Sequence, residues 1–468
     1  MAQMDIKIQG ETLNVTQEIL DRYNVPGPRY TSYPTAPEWV DTFGPMDYKQ
    51  AVKQSNEAVP SRPLSLYMHL PFCDRLCLFC GCNVVISQNH DVLIPYLENL
   101  EWEIDQLAQI VDTSRSVVQF HWGGGTPTYL DAAQLDRLFC YTRDRFGFAA
   151  DAEIGVEIDP RVTREDQLLT LRRLGFNRIS MGIQDFNPVV QQKVRRIQPY
   201  ELTKEVFDRC RALAFESVNI DLIYGLPHQT PESFVDSVDK VIGLGPDRIA
   251  MFSYAHVPWM KKQQGAIARY LPQGMDKFRI FRAGIERFNE AGYRYIGMDH
   301  FARPNDELCL AQSNRTLHRN FQVYTTKAGA DLFGFGVSSI SGMDRIYAQN
   351  FRDIKSYYAA IERKTLPVMR GMTLSDDDVL RRAVISRLLC HCMLPKKEIE
   401  SEFNIQFDDY FEEDLKQLEL LEADGLVELD AETISVTQLG RIFIRNVGMV
   451  FDKYLRTKKE KPVFSKTL

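Results

Sequence analysis

The chain is 468 residues long, with 44% apolar and 25% charged residues, a composition that excludes a disordered chain, a collagen-like fibre and a membrane protein. Lysine and arginine total 56 against 63 aspartate and glutamate, so the net charge of −7 gives no global attraction to nucleic acid or to an anionic membrane. The first 25 residues are polar and mixed in charge, and no window approaches about 18 uninterrupted apolar residues; neither a secretory signal nor a spanning helix is expected, and the cytoplasm is the expected compartment.

Residues 1–60 read as an N-terminal arm, a polar helix-like stretch followed by turn-rich Val25–Trp39. Pro26, Pro28, Pro34 and Pro37 forbid a continuous helix there. Such an arm has no core of its own and is expected to lie over the rest. Residues 61–365 alternate apolar or β-branched runs with helical stretches such as YLENLEWEIDQLAQIV. The runs fall at 64–70, 117–121, 154–158, 178–183, 218–223, 248–253 and 293–298. This rhythm predicts an α/β fold with a parallel sheet. Chemically interesting residues follow directly on many of the runs, as a (βα) barrel with its site at the strands' C-terminal ends requires. A doubly wound open sheet is the alternative.

Residues 366–468 read as a small, mostly helical, winged-helix-like domain around one hairpin between Gly425 and Gly440. From Glu398 to Asp424 there are eleven acidic residues and one basic residue, Lys416, the wrong sign for phosphate contacts. An interaction or lid role is the expectation for this domain. The basic end, Lys453–Leu468, reads as a solvated tail.

Nine cysteines in a chain expected to be cytosolic point away from disulfides and towards metal or redox chemistry. Cys140, Cys210 and Cys309 are isolated and read as packed core. PFCDRLCLFCGC, directly after the first run, sets Cys73, Cys77, Cys80 and Cys82 in the spacing C-x3-C-x2-C-x-C. Zinc sites usually join two separated pairs, and no second pair is evident, so an iron–sulfur cluster fits better. Three thiolates at x3 and x2 can wrap one 4Fe–4S cube and leave its fourth iron without a protein ligand. Cys82 lies too close to Cys80 to be that ligand. After the second run, Gly123, Gly124 and Gly125 can expose backbone to a polar ligand. Glu157, Gln184, Asp185, Asp221 and Ala255 follow later runs, and polar side chains ringed around one mouth read as a polar ligand site.

The cysteine motif and the glycine run together resemble the radical S-adenosylmethionine superfamily. The resemblance implies a partial (βα)6-type barrel and a 4Fe–4S cluster on Cys73, Cys77 and Cys80. It also implies S-adenosylmethionine on the open iron, cleaved reductively to a 5′-deoxyadenosyl radical. Longer segments, among them PGPRYTSYPTA, YMHLPFCDRLCLFCGCN, FHWGGGTPTYL, VEIDPR, SMGIQDF, DLIYGLPHQTPESF and LHRNFQVYTT, are similar to the oxygen-independent coproporphyrinogen III oxidases. That family converts coproporphyrinogen III to protoporphyrinogen IX in haem biosynthesis by oxidatively decarboxylating two propionates to vinyls.

Carried over by position, the resemblance puts Tyr67, Gly124, Glu157 and Ile340 at a first S-adenosylmethionine. It puts Phe79, Gly125, Thr126, Gln184, Arg196, Asp221 and Ala255 at a second. The substrate it implies carries four carboxylates on an apolar macrocycle, so basic anchors are expected, with Arg22, Arg29, Arg303 and Arg319 as candidates. Tyr30 and Tyr33 would close with the arm over the macrocycle. An external electron donor and acceptor, a monomer, and no nucleic-acid or membrane partner complete the expectation. The alternative is the haem chaperone of the same superfamily, which lacks the PGPRYTSYPTA and LFCGCN segments present here.

Overall fold

The structure, a computed structural model, describes residues 3–456 and 464–468. Six of the seven predicted runs become consecutive strands: β1 (Leu64–Leu70), β2 (Val117–Gly124), β3 (Phe148–Ile158), β4 (Arg178–Gln184), β5 (Ser217–Tyr224) and β6 (Arg248–Ser253). Each lies beside the next, always parallel. Helices Leu93–Ala108, Ala132–Arg143, Glu165–Leu174, Tyr200–Ala212 and Pro231–Leu244 supply the crossovers. An order that advances one strand per crossover without reversing is the winding of a barrel; a doubly wound sheet reverses at its switch point.

The seventh run departs from expectation. Its strand, β7 (Arg294–Gly297), turns straight back into β8 (His300–Ala302), which pairs antiparallel with both β7 and β6. Gly297 at φ 146 and Met298 at φ 53 make that turn, so there is no room for a crossover helix. The chain then returns to the other side of β1. There β9 (Asp331–Phe335) pairs parallel with β1, and antiparallel β10 (Ile340–Met343), β11 (Ile346–Asn350) and β12 (Val368–Thr373) follow. The resulting 12-stranded sheet does not close on itself: it is a partial barrel.

Alternation along the strands decides what each face carries. Phe120 and Trp122 of β2 face the helices and pack with Phe139 and Phe176, ring centroids 4.8–5.6 Å apart for the Trp122–Phe176 and Phe120–Phe139 pairs. The intervening positions point into the concave side: Gln119 and His121 of β2, Glu153 and Glu157 of β3, Arg178 and Ser180 of β4, Asn219 and Asp221 of β5. One strand period thus builds an apolar layer and a polar interior from the same residues. Buried Glu103 fastens the far part of the sheet to helix Leu93–Ala108. Its carboxylate accepts from Gly336 N (2.8 Å), Asn350 Nδ2 (2.6 Å) and the Tyr357 hydroxyl (2.6 Å).

The two ends differ from the sequence reading. The polar N-terminal stretch is a β-hairpin, Gln3–Ile8 with Glu11–Thr16, before a short helix, Gln17–Tyr23, capped by Thr16. Its period is two, with Met4, Ile6 and Ile8 buried between exposed Asp5 and Lys7, and Gln9 and Gly10 both take positive φ at the turn. The hairpin packs on helix Gly274–Glu290.

The C-terminal part holds helices Asp376–His391, Lys396–Phe403 and Glu412–Ala423 with a three-stranded sheet of Met393–Pro395, Thr433–Val436 and Val427–Leu429. Of the predicted solvated tail, residues 457–463 lie outside the described residues. Residues 464–468 clasp the arm: Gly27 N donates to Ser465 O at 3.1 Å, Thr467 N to Val25 O at 2.9 Å, and Thr467 and Leu468 are buried while Lys466 stays exposed. Arg445 joins both partners, donating to Pro28 O (2.9 Å), Lys466 O (3.2 Å), Thr467 O (3.1 Å) and Gly27 O. Among the described residues no helix is long and apolar enough to cross a membrane.

Candidate functional site

The loop after β1 carries Cys73, Cys77 and Cys80 to the wall of one cavity of about 570 Å³ at the C-terminal ends of the strands. A second loop clamps it from above. Gln264 donates to Phe79 O (2.9 Å) and to Ala255 O (3.2 Å), Gln263 to Cys80 O (3.0 Å), and Lys261 to Cys82 O (2.6 Å). The three thiols have different surroundings. Cys73 Sγ lies 3.3 Å from the Thr126 hydroxyl, and burial pushes its thiol up to about 12. Cys77 Sγ accepts from Arg161 Nη2 (3.6 Å) and Arg196 Nη1 (3.8 Å). The Cys82 thiol hydrogen-bonds to Cys80, whose own thiol is thereby held below the usual thiol range.

The glycine run is there for close approach. A Cβ on Gly125 would meet the backbone of Pro71 at 2.6 Å, and one on Gly124, at φ 114, would meet the His69 ring at 2.5 Å. Gly125 N donates to Leu70 O and Thr126 N to Phe72 O, both 2.9 Å, so this loop is stitched to the cysteine loop. Buried His69 locks the base of the loop, its Nε2 2.8 Å from Asn83 O and its Nδ1 3.2 Å from the Tyr67 hydroxyl. These residues fit an iron–sulfur cluster: three thiols on one wall, arginines beside one of them, and side-chain-free backbone opposite. Among the described residues no three His, Cys, Asp or Glu side chains crowd together as one bound ion would need, whereas a cube spreads its ligands one to an iron.

Glu157 and Asp221 stand on the floor between this cavity and a second of about 260 Å³ on the concave face. Burial works against the Glu157 carboxylate, but His121 (3.5 Å) and Gly124 N (3.1 Å) outweigh it and hold its carboxyl below the ordinary value. Asp221 has no cation so close. Burial, then repulsion from Glu157, push it up from 3.8 to about 7, against hydrogen bonds from Asn219 and Ser180.

A carboxyl with a raised folded-state pKa leaves the fold most stable when it is protonated in both states. As pH rises from about 4 to 7 it ionises first in the unfolded chain, and stability is lost; above about 7 the loss is complete. Without bound cofactor, Asp221→Asn is therefore expected to be more stable than the unaltered protein at pH 8 by about 1–2 kcal/mol, and equal to it at pH 4. Thermal midpoints of the two proteins measured from pH 4 to 8 check this; a constant difference across the range would refute it.

Eleven of the predicted residues line the thiol cavity: Cys73, Cys77, Phe79, Cys80, Gly124, Gly125, Thr126, Glu157, Gln184, Arg196 and Asp221. Tyr67 lies on the floor, lining the 260 Å³ cavity beside Glu157, and Ala255 is joined to the cysteine loop through Gln264. Ile340 is not brought to either cavity; it begins β10 and packs near Trp39 and Tyr347. Asp185 is also drawn elsewhere, accepting buried hydrogen bonds from Ser237 (2.7 Å), Gln229 and Asn187 N.

Two of the four arginine candidates serve the fold instead. Arg22 pairs at the surface with Asp424 and Glu18, and Arg303 donates to the carbonyls of Pro246 and Gly245. Arg29 pairs with Asp299 beside the Phe252 ring. Tyr30 does not line the thiol cavity: it is buried, its hydroxyl donating to Asp452 at 2.9 Å.

Asp159 and Arg161 were missed by the sequence reading. Asp159 binds both Arg161 (2.6 Å) and Arg196 (3.1 Å), setting the two guanidinium groups beside Cys77. The segment VEIDPR held the signal: an acid and a base directly after Glu157 at a strand end.

Residues 67–241 match the Radical SAM superfamily, and residues 374–443 match the HemN C-terminal domain. The oxygen-independent coproporphyrinogen III oxidase of Escherichia coli is 48% identical over 451 residues, 96% of this chain and 98% of its own. That of Synechocystis is 46% identical over 462 residues, 98% of this chain and 99% of its own. The solved coproporphyrinogen III oxidase (HemN) of Escherichia coli, a radical SAM enzyme, superposes with a TM-score of 0.88 at 48% identity, over 91% of this chain and 97% of that one.

Proposed function

The chain belongs to the oxygen-independent coproporphyrinogen III oxidase family, and from that membership we propose that it decarboxylates two propionates of coproporphyrinogen III to vinyls, with Cys73, Cys77 and Cys80 holding the cluster. The activity is a radical S-adenosylmethionine one and belongs to haem biosynthesis. The observation that carries the residue assignments is the convergence of the three thiols, the glycine cradle, and the Glu157 and Asp221 carboxylates on one cavity. The cluster with S-adenosylmethionine, when bound, supplies the one-electron chemistry that opens a C–H bond beside a propionate.

The chain's own residues do the rest. Asp159 orients Arg161 and Arg196 so that both guanidinium groups lie against Cys77. Gly124, Glu157 and Tyr67 are assigned to a first S-adenosylmethionine, without Ile340, which lines neither cavity, and the Glu157 carboxylate is ionised and ready to accept from its amino or hydroxyl groups. Phe79, Gly125, Thr126, Gln184, Arg196, Asp221 and Ala255 are assigned to a second, which suits a substrate that reacts twice. Asp221, titrating near neutral pH, can accept a hydrogen bond or give one there. Residues 1–60 form the cover, 61–365 the catalytic barrel and 366–468 the domain that anchors the cover. The protein works as a cytoplasmic monomer with an external electron donor and acceptor.

An anaerobic assay tests the reading. Reconstituted protein with reductant, S-adenosylmethionine and coproporphyrinogen III should yield the divinyl product with two 5′-deoxyadenosine molecules per macrocycle. Cofactor cleavage without tetrapyrrole product would discard the substrate, and haem retained without cleavage would favour a carrier.

A further inference from the structure

A cavity of about 410 Å³ lies between arm residues 30–33, the hairpin His318–Asn320 with Val323–Thr325, and helix Asp376–His391. Its cations outnumber its carboxylates. Arg62 pairs with Asp331 and Asp344, Arg382 with Asp344, and Arg387 with Glu402. Arg319 and Lys327 face no carboxylate among the described residues. The guanidinium of Arg319 lies 4.5 Å from the Tyr324 ring and gives one N–H to Arg29 O at 3.2 Å. Its Nε and Nη1, together with Nη1 of Arg387, are buried with no acceptor. Buried cationic N–H groups without acceptors are expensive and rare, and several around one cavity describe a site made for an anion.

The cavity is not isolated from the chemistry. Phe321 borders both it and the 260 Å³ cavity on the concave face, which shares Glu157, Ser180 and Asp221 with the thiol cavity. Along the way the wall offers His300 Nδ1 and Gln322 Nε2, again buried without partners. A ligand with an apolar body and carboxylates at its rim could set one edge at the thiols and the opposite edge at the arginines.

We propose that the cavity bordered by Arg319, Lys327 and Arg387 holds the substrate propionates that do not react, and so fixes which edge of the macrocycle faces the thiols. This rests on the reading of the substrate given above. The arm completes the cavity through Tyr30–Tyr33, so the cover and the anchor are one device.

The test uses the reconstituted holoenzyme, coproporphyrinogen III for turnover and coproporphyrin III, its oxidised form, for binding by fluorescence titration. Arg319→Met should raise KM at least about tenfold, the size of one lost charge-assisted hydrogen bond, and weaken coproporphyrin III binding equally. S-adenosylmethionine cleavage in the absence of tetrapyrrole should be unchanged, and Arg319→Lys should recover part of the affinity. Binding of the uncharged tetramethyl ester of coproporphyrin III should be weak and insensitive to Arg319→Met. Lys327→Ala, on an exposed loop, should give a smaller rise in KM and serves if Arg319→Met does not fold.

Unchanged KM and binding in both variants would overturn the proposal. So would inorganic phosphate binding that Arg319→Met abolishes while coproporphyrin III binding persists, which would mark a free-anion site. Failure of the unaltered enzyme to make any vinyl product would overturn the substrate reading itself.

Discussion

Replacing Cys77 by serine is expected to leave the protein folded but without its cluster, and to reduce S-adenosylmethionine cleavage and vinyl formation to background. Cys77 lies nearest the arginine pair on Asp159, so the charge it would bring as thiolate already has counter-charge in place. A serine hydroxyl at the same position does not ionise near neutral pH and offers iron no soft ligand. Even a supporting residue behind a metal ligand typically changes affinity by about 10–100-fold, and loss of a ligand itself should exceed that.

Cys82→Ser is the matched control. Its thiol hydrogen-bonds to the Cys80 sulfur, a bond serine can keep, and it follows Cys80 by two residues. It should retain iron and sulfide, with activity lowered by less than about tenfold. Iron and acid-labile sulfide content, with 5′-deoxyadenosine yield, decide the matter. A full complement in Cys77→Ser, or none in Cys82→Ser, would require a different ligand set.

Arg445→Met should release the arm while leaving the cluster loop as it is. The guanidinium donates to four carbonyls, two in the arm and two in the C-terminal segment, all at a position where water has little access. Methionine fills much of the volume but satisfies none of them, and the loss should amount to about 3–5 kcal/mol of local stability. Burial and the nearby Arg29 charge work against the Arg445 cation, so its retention there reflects these bonds and not a favourable field.

The expected result is rapid proteolysis within residues 22–35, unchanged iron content, and tetrapyrrole turnover lost with Arg29 and the Tyr30–Tyr33 wall. Limited digestion followed by mass spectrometry, alongside the anaerobic assay, measures both halves. An arm still protected in Arg445→Met, with turnover intact, would remove the clasp from the mechanism.

The central strands were legible because strand period and chemistry coincide there: each apolar run ends in the residues that reach the cavity, as with Glu157 on β3 and Gln184 on β4. The cysteine and glycine loops were legible for a related reason, since close backbone approach demands glycine and ligation demands thiols within a few residues. What escaped was set by contacts distant in sequence. β9, Asp331–Phe335, is buried on both faces and carries no alternation to announce it, and its partner β1 lies far earlier in the chain. Asp159 escaped because its partner Arg196 lies 37 positions away and only the fold brings the two together. For residues 464–468 the solvated-tail reading failed because charge in Lys453–Leu468 spoke louder than Thr467 and Leu468, whose partners are in the arm. Arg22 and Arg319 were equivalent as letters, and only burial separates a surface ion pair from an unanswered cation.

The clasp between the arm and residues 464–468 also sets an order of events during synthesis. The Thr467 hydroxyl bonds to Tyr23 O across 444 positions, so what leaves the ribosome among the first must wait for what leaves it among the last. Until then Val25 and Gly27 lack their backbone partners in Ser465 and Thr467, and the arm that carries Tyr30–Tyr33 to the 410 Å³ cavity is held only from earlier positions such as Asp299 and Arg445. The barrel strands, each paired with its predecessor, have no such delay. Translation thus passes through a stage in which the thiols are in position and the arm is not yet clasped, a vectorial interval that ends only with the last residues of the chain.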